Sequence, residues 1–329
     1  MKKSRSFLIV ILMIFPLVFN TGCESPVSPR SVTGFYFDTI IQITVYNEED
    51  LQYARGCLLL CENYEALFSR TVLGSDIYNI NHADGQSVSV DEETSKLLTS
   101  ALSYCRITDG KIDLTVAPLS ELWNFSENAG LDNALLPSDE AVKEALTHVD
   151  YETLVIEGET VTLNDPLAGI DPGFIAKGYI GDRLASYLTS SGVNSAIINL
   201  GGNITVLGNR PDGKEYTIGI QMPFEAEGSY ITTVSLHDQS IATCGVYERC
   251  FYVDGQLYHH ILNTNTGYPL ETDILSVSVI SSSSSEADAL STTLMTLGVT
   301  DGLKLLQSYP DTRAIFITED YEIIDSSDL

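Results

Sequence analysis

Two stretches far apart in the chain hold the residue types that chemistry needs. One is Glu286-Ala-Asp288-Ala-Leu-Ser-Thr292, near the C-terminus; the other is Asp171-Pro-Gly-Phe-Ile-Ala176-Lys177-Gly178-Tyr179. If 286–298 is helical, Asp288 and Thr292 share one face. A carboxylate and a hydroxyl so placed make a hard-oxygen site suited to Mg²⁺, which keeps its remaining positions for water and phosphate. The upstream stretch reads as a glycine-containing turn opening a helix, with Lys177 in the first turn. Helix-start amides and a lysine are what a diphosphate needs.

Other runs are less specific. Gly201-Gly202 follows the apolar run Ser195 to Leu200 and lets backbone approach a ligand closely, though a double glycine serves a tight turn equally well. Ala242-Thr-Cys244-Gly-Val-Tyr247-Glu-Arg249 brings a glycine, an aromatic and a cation together, and on its own reads as a polar turn. His259 and His260 are adjacent, and in a strand they point to opposite faces, so one at most serves a given site. Zinc lacks support, because no Cys or His cluster has the spacing it requires. Gly-x-Ser-x-Gly and Walker sequences are absent, which weighs against serine hydrolases and P-loop enzymes.

The ends and the composition narrow the setting. Lys2, Lys3 and Arg5 precede an apolar run from Phe7 to Phe19, too short to span a bilayer and therefore read as a secretory signal. It ends at Asn20-Thr-Gly22-Cys23, similar to a bacterial lipobox, which makes residues 1–22 a leader and Cys23 the lipidated N-terminus. Residues 23–34, with two prolines and three serines, then act as a tether. This places the protein on the extracytoplasmic face of the cell membrane, held by its lipid. The net charge of −28 argues against nucleic acid and anionic surfaces as partners. Any phosphate site must therefore be local and metal-assisted. With Cys23 set aside, five cysteines remain (Cys57, Cys61, Cys105, Cys244, Cys250), an odd number that cannot all pair internally. Cys57 and Cys61 fall in an apolar helical pattern and read as packing residues.

The elements that must hold these residues are mixed. Alternating β-branched runs predict strands at 39–46, 195–200, 216–221, 230–236, 275–280 and 313–318; helical periodicity marks 51–68, 92–108, 286–298 and a separate 303–307. The serine run 281–285 links a strand to the Asp288 helix. Without regular βαβ alternation, residues 35–329 read as one α+β domain or two packed subdomains.

The order of the motifs is the most specific signal. Phe37-Asp-Thr39, Phe68-Ser69, Ser75-Asp76, Asn81, Asp113-Leu-Thr115, Pro118, Trp123, DPGFIAKGY, LGGN, ATCGVYER, HHILNTNTGYP and EADALSTTLMTLG follow one another. In this succession they resemble the ApbE family, the FAD:protein FMN transferases. The resemblance implies two subdomains with an FAD site between them, and Mg²⁺-dependent transfer of FMN from FAD to a Thr or Ser hydroxyl of an exported redox protein. It implies Asp288, Thr292 and the Ala176 carbonyl as metal ligands. Asp171, Lys177, Gly201, Gly202, Asn203, Tyr247 and His260 would contact FAD, with Lys177 and His260 also catalytic and His260 a base by type. The usual Asp-Leu-Gly-Gly is Asp171-Pro-Gly-Phe174 here, Asn263 replaces a carboxylate, and Val246 replaces another. FAD hydrolysis to FMN and AMP, and flavin binding without chemistry, are the alternatives.

Overall fold

The computed structural model describes residues 28–131, 134–226 and 228–328. The leader and Cys23 lie outside the described residues. The chain begins with the hairpin β1 (Arg30–Tyr36) and β2 (Thr39–Val45), joined at Phe37-Asp38, both of which adopt positive φ as a two-residue turn demands. Residues 30–34, expected to belong to the tether, are thus strand, paired from Arg30↔Val45 to Gly34↔Ile41. Their β-branched Val32 and Thr33 suit a pleated surface better than a linker.

Helix α1 (Leu51–Phe68) buries Ala54, Cys57, Cys61 and Phe68, the three- and four-residue spacing of one face. Ser75 caps α2 (Asp76–Asn81), Asp91 caps α3 (Glu92–Ile107) after the short β3 (Val88–Ser89), and Pro118 sits in the first turn of α4 (Ala117–Trp123). Next come α5 (Phe125–Asn128), α6 (Asp139–Leu146), and the hairpin β4 (Leu154–Glu157) and β5 (Thr160–Leu163). Helix α7 (Ala176–Ser190) precedes β6 (Ala196–Leu200), β7 (Asn203–Leu207), β8 (Tyr216–Gln221), β9 (Tyr230–Leu236) and β10 (Ser240–Gly245). The chain ends with β11 (Cys250–Val253), β12 (Gln256–His259), β13 (Ile274–Ser281), α8 (Ser284–Leu306), β14 (Arg313–Thr318) and β15 (Ile323–Asp325). Helix α8 breaks its helical geometry at Gly298 (φ 76°, ψ 173°), which accounts for the two separate helical patterns in this part of the sequence.

Eight strands form an antiparallel sheet in the order β1-β2-β6-β7-β10-β13-β14-β15. On one face α1, α7 and α8 cover its apolar residues; on the other, the β8–β9 hairpin packs Tyr216, Ile220 and Val234 against Val206, Ile241 and Ile315. The helices α2–α6 and the small sheet β3-β5-β4 make the second part of this α+β fold. The two parts share a single core, in which Leu97 and Leu98 of α3 join Ile198 and Leu290. A satellite cluster of Trp123, Phe125, Val142, Phe251 and Leu262 braces the second part, and Trp123 Nε1 donates to the Gly267 carbonyl at 2.8 Å. That bond fixes the loop following His260.

Candidate active site

Glycines bring the two chemistry-bearing helices together. A Cβ at Gly178 would fall 2.3 Å from the Ser284 carbonyl oxygen and 2.5 Å from Asp288 Cβ, so α7 and α8 touch through backbone. This carries Asp288 to the start of α7, where the Gly178 N–H donates to Asp288 Oδ2 at 2.8 Å. Ala176, Lys177 and Asp288 thus meet at the start of α7, and Thr292 lies one helical turn along α8. Asp288 is only 5% exposed and, among the described residues, has no cationic group within ion-pairing distance. Burial raises its pKa; Lys177, the facing Asn203 amide and the Gly178 N–H work against that rise. Asn203 Nδ2 does so without closing a hydrogen bond of good geometry, and it is left buried and unpartnered.

The end of β10 and the turn after it supply a second wall. The buried Cys244 thiol is pushed up to about 12 by burial and by Glu248, with Thr292 and Lys177 opposing. Glu248 is solvent-exposed in the turn after β10, near Lys177, Arg249 and Asp288. Burial pushes its carboxyl up to about 7, while Lys177 and Arg249 pull it down and Asp288 adds to the rise. His260 donates its backbone N–H to the Arg249 carbonyl at 3.0 Å, and its Nδ1 is buried without a partner. Burial first, then Arg249, His259 and Lys177, push its pKa down to about 3, which leaves a neutral imidazole. His259 turns elsewhere and donates from Nε2 to the Leu270 carbonyl at 3.0 Å. The adjacent histidines divide as strand geometry predicts. Beside Thr296, one turn beyond Thr292, a cleft of about 150 Å³ is lined by Lys111, Asn263, Thr264, Asn265, Leu270 and Thr296.

Other predicted residues stand differently. Asp171 shapes its own turn, accepting from the Gly173 N–H at 3.0 Å, and lies 3.5 Å from Arg70 Nε. Gly201 and Gly202 are the two-residue turn between β6 and β7, with φ of 62° and 100°, so the turn itself requires them. The Tyr247 ring lies over Gly245, on the face of β10 opposite Cys244, and meets Phe224 edge-on at 5.9 Å. Strand alternation therefore holds that ring away from Asp288. Several amides at the start of α7 are also engaged. Those of Ile175 and Ala176 donate to the Pro172 carbonyl and that of Gly178 to Asp288, while the Lys177 N–H has no acceptor among the described residues.

The departures at 174 and 263 find a physical account. Phe174 has no positive φ and packs edge-on against Tyr104 at 6.4 Å, so glycine is not needed there. Asn263 Oδ1 accepts from the Asn265 N–H at 2.9 Å, a turn-forming role an amide fills as well as a carboxylate. Asn81 pins the loop before Asp171 through two bonds to Ile170, at 2.7 and 3.0 Å. Asp113 accepts from Thr115 and Tyr151 and is likewise a scaffold residue. Sequence reasoning missed Glu248, Cys244 and Asp182. Glu248 and Cys244 lay within the quoted run 242–249, but nothing local showed that they would face Lys177 and Thr292.

Residues 37–316 match the ApbE family. The chain belongs to that family. It is 34% identical over 290 residues to a FAD:protein FMN transferase of Klebsiella pneumoniae, covering 87% of this chain and 88% of that one. A FAD:protein FMN transferase of Treponema pallidum is 30% identical, over 95% of this chain and 91% of its own. Among solved structures, the ApbE protein of Thermotoga maritima superposes with a TM-score of 0.81 at 31% identity, covering 90% of this chain and 96% of that protein. The flavin transferase ApbE of Vibrio cholerae gives 0.79 at 27%, covering 91% and 97%. The ApbE assignment agrees with the eight-stranded sheet flanked by helices and with the motif order in the sequence.

Proposed function

We propose that this protein transfers FMN from FAD to a Thr or Ser hydroxyl of an exported protein, with AMP leaving. The hydroxyl oxygen attacks the phosphorus of the FMN half, the bond from that phosphorus to the bridging oxygen breaks, and AMP departs with that oxygen. The observation that carries the reading is the buried carboxylate of Asp288, without an ion pair among the described residues and near Thr292 and Lys177, in a chain whose relatives bear this name. A buried carboxylate with one backbone hydrogen bond and no ion pair is costly, and a hard cation held by Asp288, Thr292 and the Ala176 carbonyl would satisfy it. Mg²⁺ bound there would neutralise charge on the diphosphate.

The chain's own residues divide the remaining work. Lys177 offers its ammonium and its N–H to the diphosphate. Phosphoryl transfer is mainly positioning and charge neutralisation, so this is a large share of the task. The acceptor proton needs a group whose affinity for it lies near the working pH. Glu248, pushed up to about 7 and reached by solvent, fits that better than His260, pushed down to about 3. His260 as a neutral imidazole then orients the reacting phosphate through a hydrogen bond. Lipidation at Cys23 would hold the enzyme beside exported acceptors.

Purified protein, FAD, Mg²⁺ and an exported flavoprotein domain are incubated together, and the acceptor band is examined for covalent flavin fluorescence. Labelled acceptor with stoichiometric AMP is expected. AMP without labelling would make the protein a hydrolase, and absence of turnover would make it a flavin-binding lipoprotein.

A further inference from the structure

Helices α7 and α8 cap each other, and the second half of that arrangement belongs to a residue with no assigned role. Asp182 lies one turn beyond Gly178 on α7, and Ser284 lies one turn before Asp288 on α8. Asp288 accepts from the Gly178 N–H at the start of α7. Asp182 returns the bond: Oδ1 accepts from the Ser284 N–H at 2.6 Å, and Oδ2 from the Ser285 N–H at 3.0 Å and the Ser283 hydroxyl at 2.9 Å. Each helix thereby satisfies amides that the other leaves without an intrahelical partner, and each carboxylate meets the positive end of the opposite dipole.

We propose that Asp182 is a positioning residue for the cation-binding pair Asp288 and Thr292, setting the register of α8 against α7 by capping its first turn. The inference rests on the reading of Asp288 and Thr292 as a cation site. Sliding α8 by one residue moves it about 1.5 Å along its axis. That slide would break all three Asp182 bonds and the Asp288–Gly178 bond together, and it would shift Asp288 relative to the Ala176 carbonyl. Gly178 removes the side chain that would otherwise hold the helices apart, but close approach alone does not choose the register. The capping bonds do, because their donors lie at fixed positions in the chain. Asp182 has no part in the diphosphate contact proposed for Lys177, so its loss acts through α8.

The test uses Mn²⁺ alone, without FAD, titrated into purified full-length protein and followed by the electron paramagnetic resonance of the free ion. Asp288→Ala calibrates the assay; if it binds Mn²⁺ as the wild type does, the cation reading itself fails. Given a site that Asp288→Ala abolishes, Asp182→Ala is expected to weaken Mn²⁺ roughly 10- to 100-fold, the usual effect of losing a group that orients a metal ligand. Asp182→Asn keeps one acceptor oxygen and is expected to fall between, which also provides a reading if the alanine variant does not fold. Val142→Ala, in the distant Trp123 cluster, lowers the melting temperature and should leave Mn²⁺ affinity unchanged. Wild-type affinity in folded Asp182→Asn and Asp182→Ala, whatever their melting temperatures, would overturn the proposal.

Discussion

Gly178→Ala is the substitution that most directly tests whether backbone contact between α7 and α8 builds the site. The new methyl would meet the Ser284 carbonyl oxygen at 2.3 Å and Asp288 Cβ at 2.5 Å, against an ordinary separation near 3.4 Å or more. The obstruction is main chain, which cannot rotate aside, so the helices must part by roughly 1 Å. Overpacking of this kind costs about 1–3 kcal/mol. The Gly178–Asp288 bond, now 2.8 Å, would be stretched beyond hydrogen-bonding range, and a bond to a charged group is worth about 1.5–3 kcal/mol. Better helix propensity returns about 1 kcal/mol. The net loss is about 1.5–5 kcal/mol, and at roughly 2–4 °C per kcal/mol the melting temperature should drop by roughly 3–20 °C. Scanning calorimetry reads this, and Mn²⁺ titration should show weakened binding in the surviving fold. Gly181→Ala supplies the contrast. Its methyl meets the rotatable Ser284 hydroxyl at 2.6 Å, so it should cost much less. A Gly178→Ala protein with wild-type melting temperature and Mn²⁺ affinity would refute the packing argument.

Three further outcomes follow from the site. Asp288→Ala should abolish turnover at millimolar Mg²⁺ whereas Thr292→Ala should be partly rescued by more metal, since water can replace a neutral hydroxyl ligand but not a charge; steady-state rates against Mg²⁺ concentration decide it. Glu248 has a folded pKa near 7 against an ordinary 4.5, so its protonation stabilises the metal-free fold fully below about 4.5, and that contribution is lost as pH rises through 7. Melting temperature should therefore decline across that window in wild-type protein and decline less in Glu248→Gln, whose transfer rate should also lose its rise near pH 7. Cys23→Ser should release the protein from membranes or leave a slower-migrating precursor, as fractionation and immunoblotting would show; unchanged membrane association and migration would remove Cys23 as the anchor.

Legibility of the fold followed how local each determinant was. Helix α8 and the start of α7 could be read because period, glycine and serine signals lie within a few residues. The break at Gly298 was visible as two helical patterns. Strands β7 and β10 were harder: β7 follows the Gly201-Gly202 turn directly, and β10 contains the polar Thr243 and the glycine that made its run look like a turn. Strand β1 was hidden by the serines and prolines before it, although its pairing with β2 buries little on the outer face, where Phe35 and Ile40 remain exposed. Within the site, Asp288, Thr292 and Lys177 were legible as types and spacings. The side of β10 on which Tyr247 falls was not, because it depends on sheet pairing. Nor was reciprocal capping legible, because its partners lie about a hundred residues apart.

Charge explains why the site takes this form. A chain with net charge −28 repels a diphosphate, and its cleft alone does not reverse that, since Lys177 and Arg249 stand beside Asp288 and Glu248. Burial raises the proton affinity of both carboxyls, so without a metal the cleft tends toward neutrality by holding protons. A divalent cation held by Asp288, as proposed above, would do the same task with two charges at one point and would free the site of those protons. Lys177 would then act on a cleft that is no longer negative, where its charge would fall on the diphosphate instead of on the protein's own carboxylates. On this reading, affinity for an anionic dinucleotide in so acidic a protein should depend on the metal, and the residues that fix Asp288 in place should govern both.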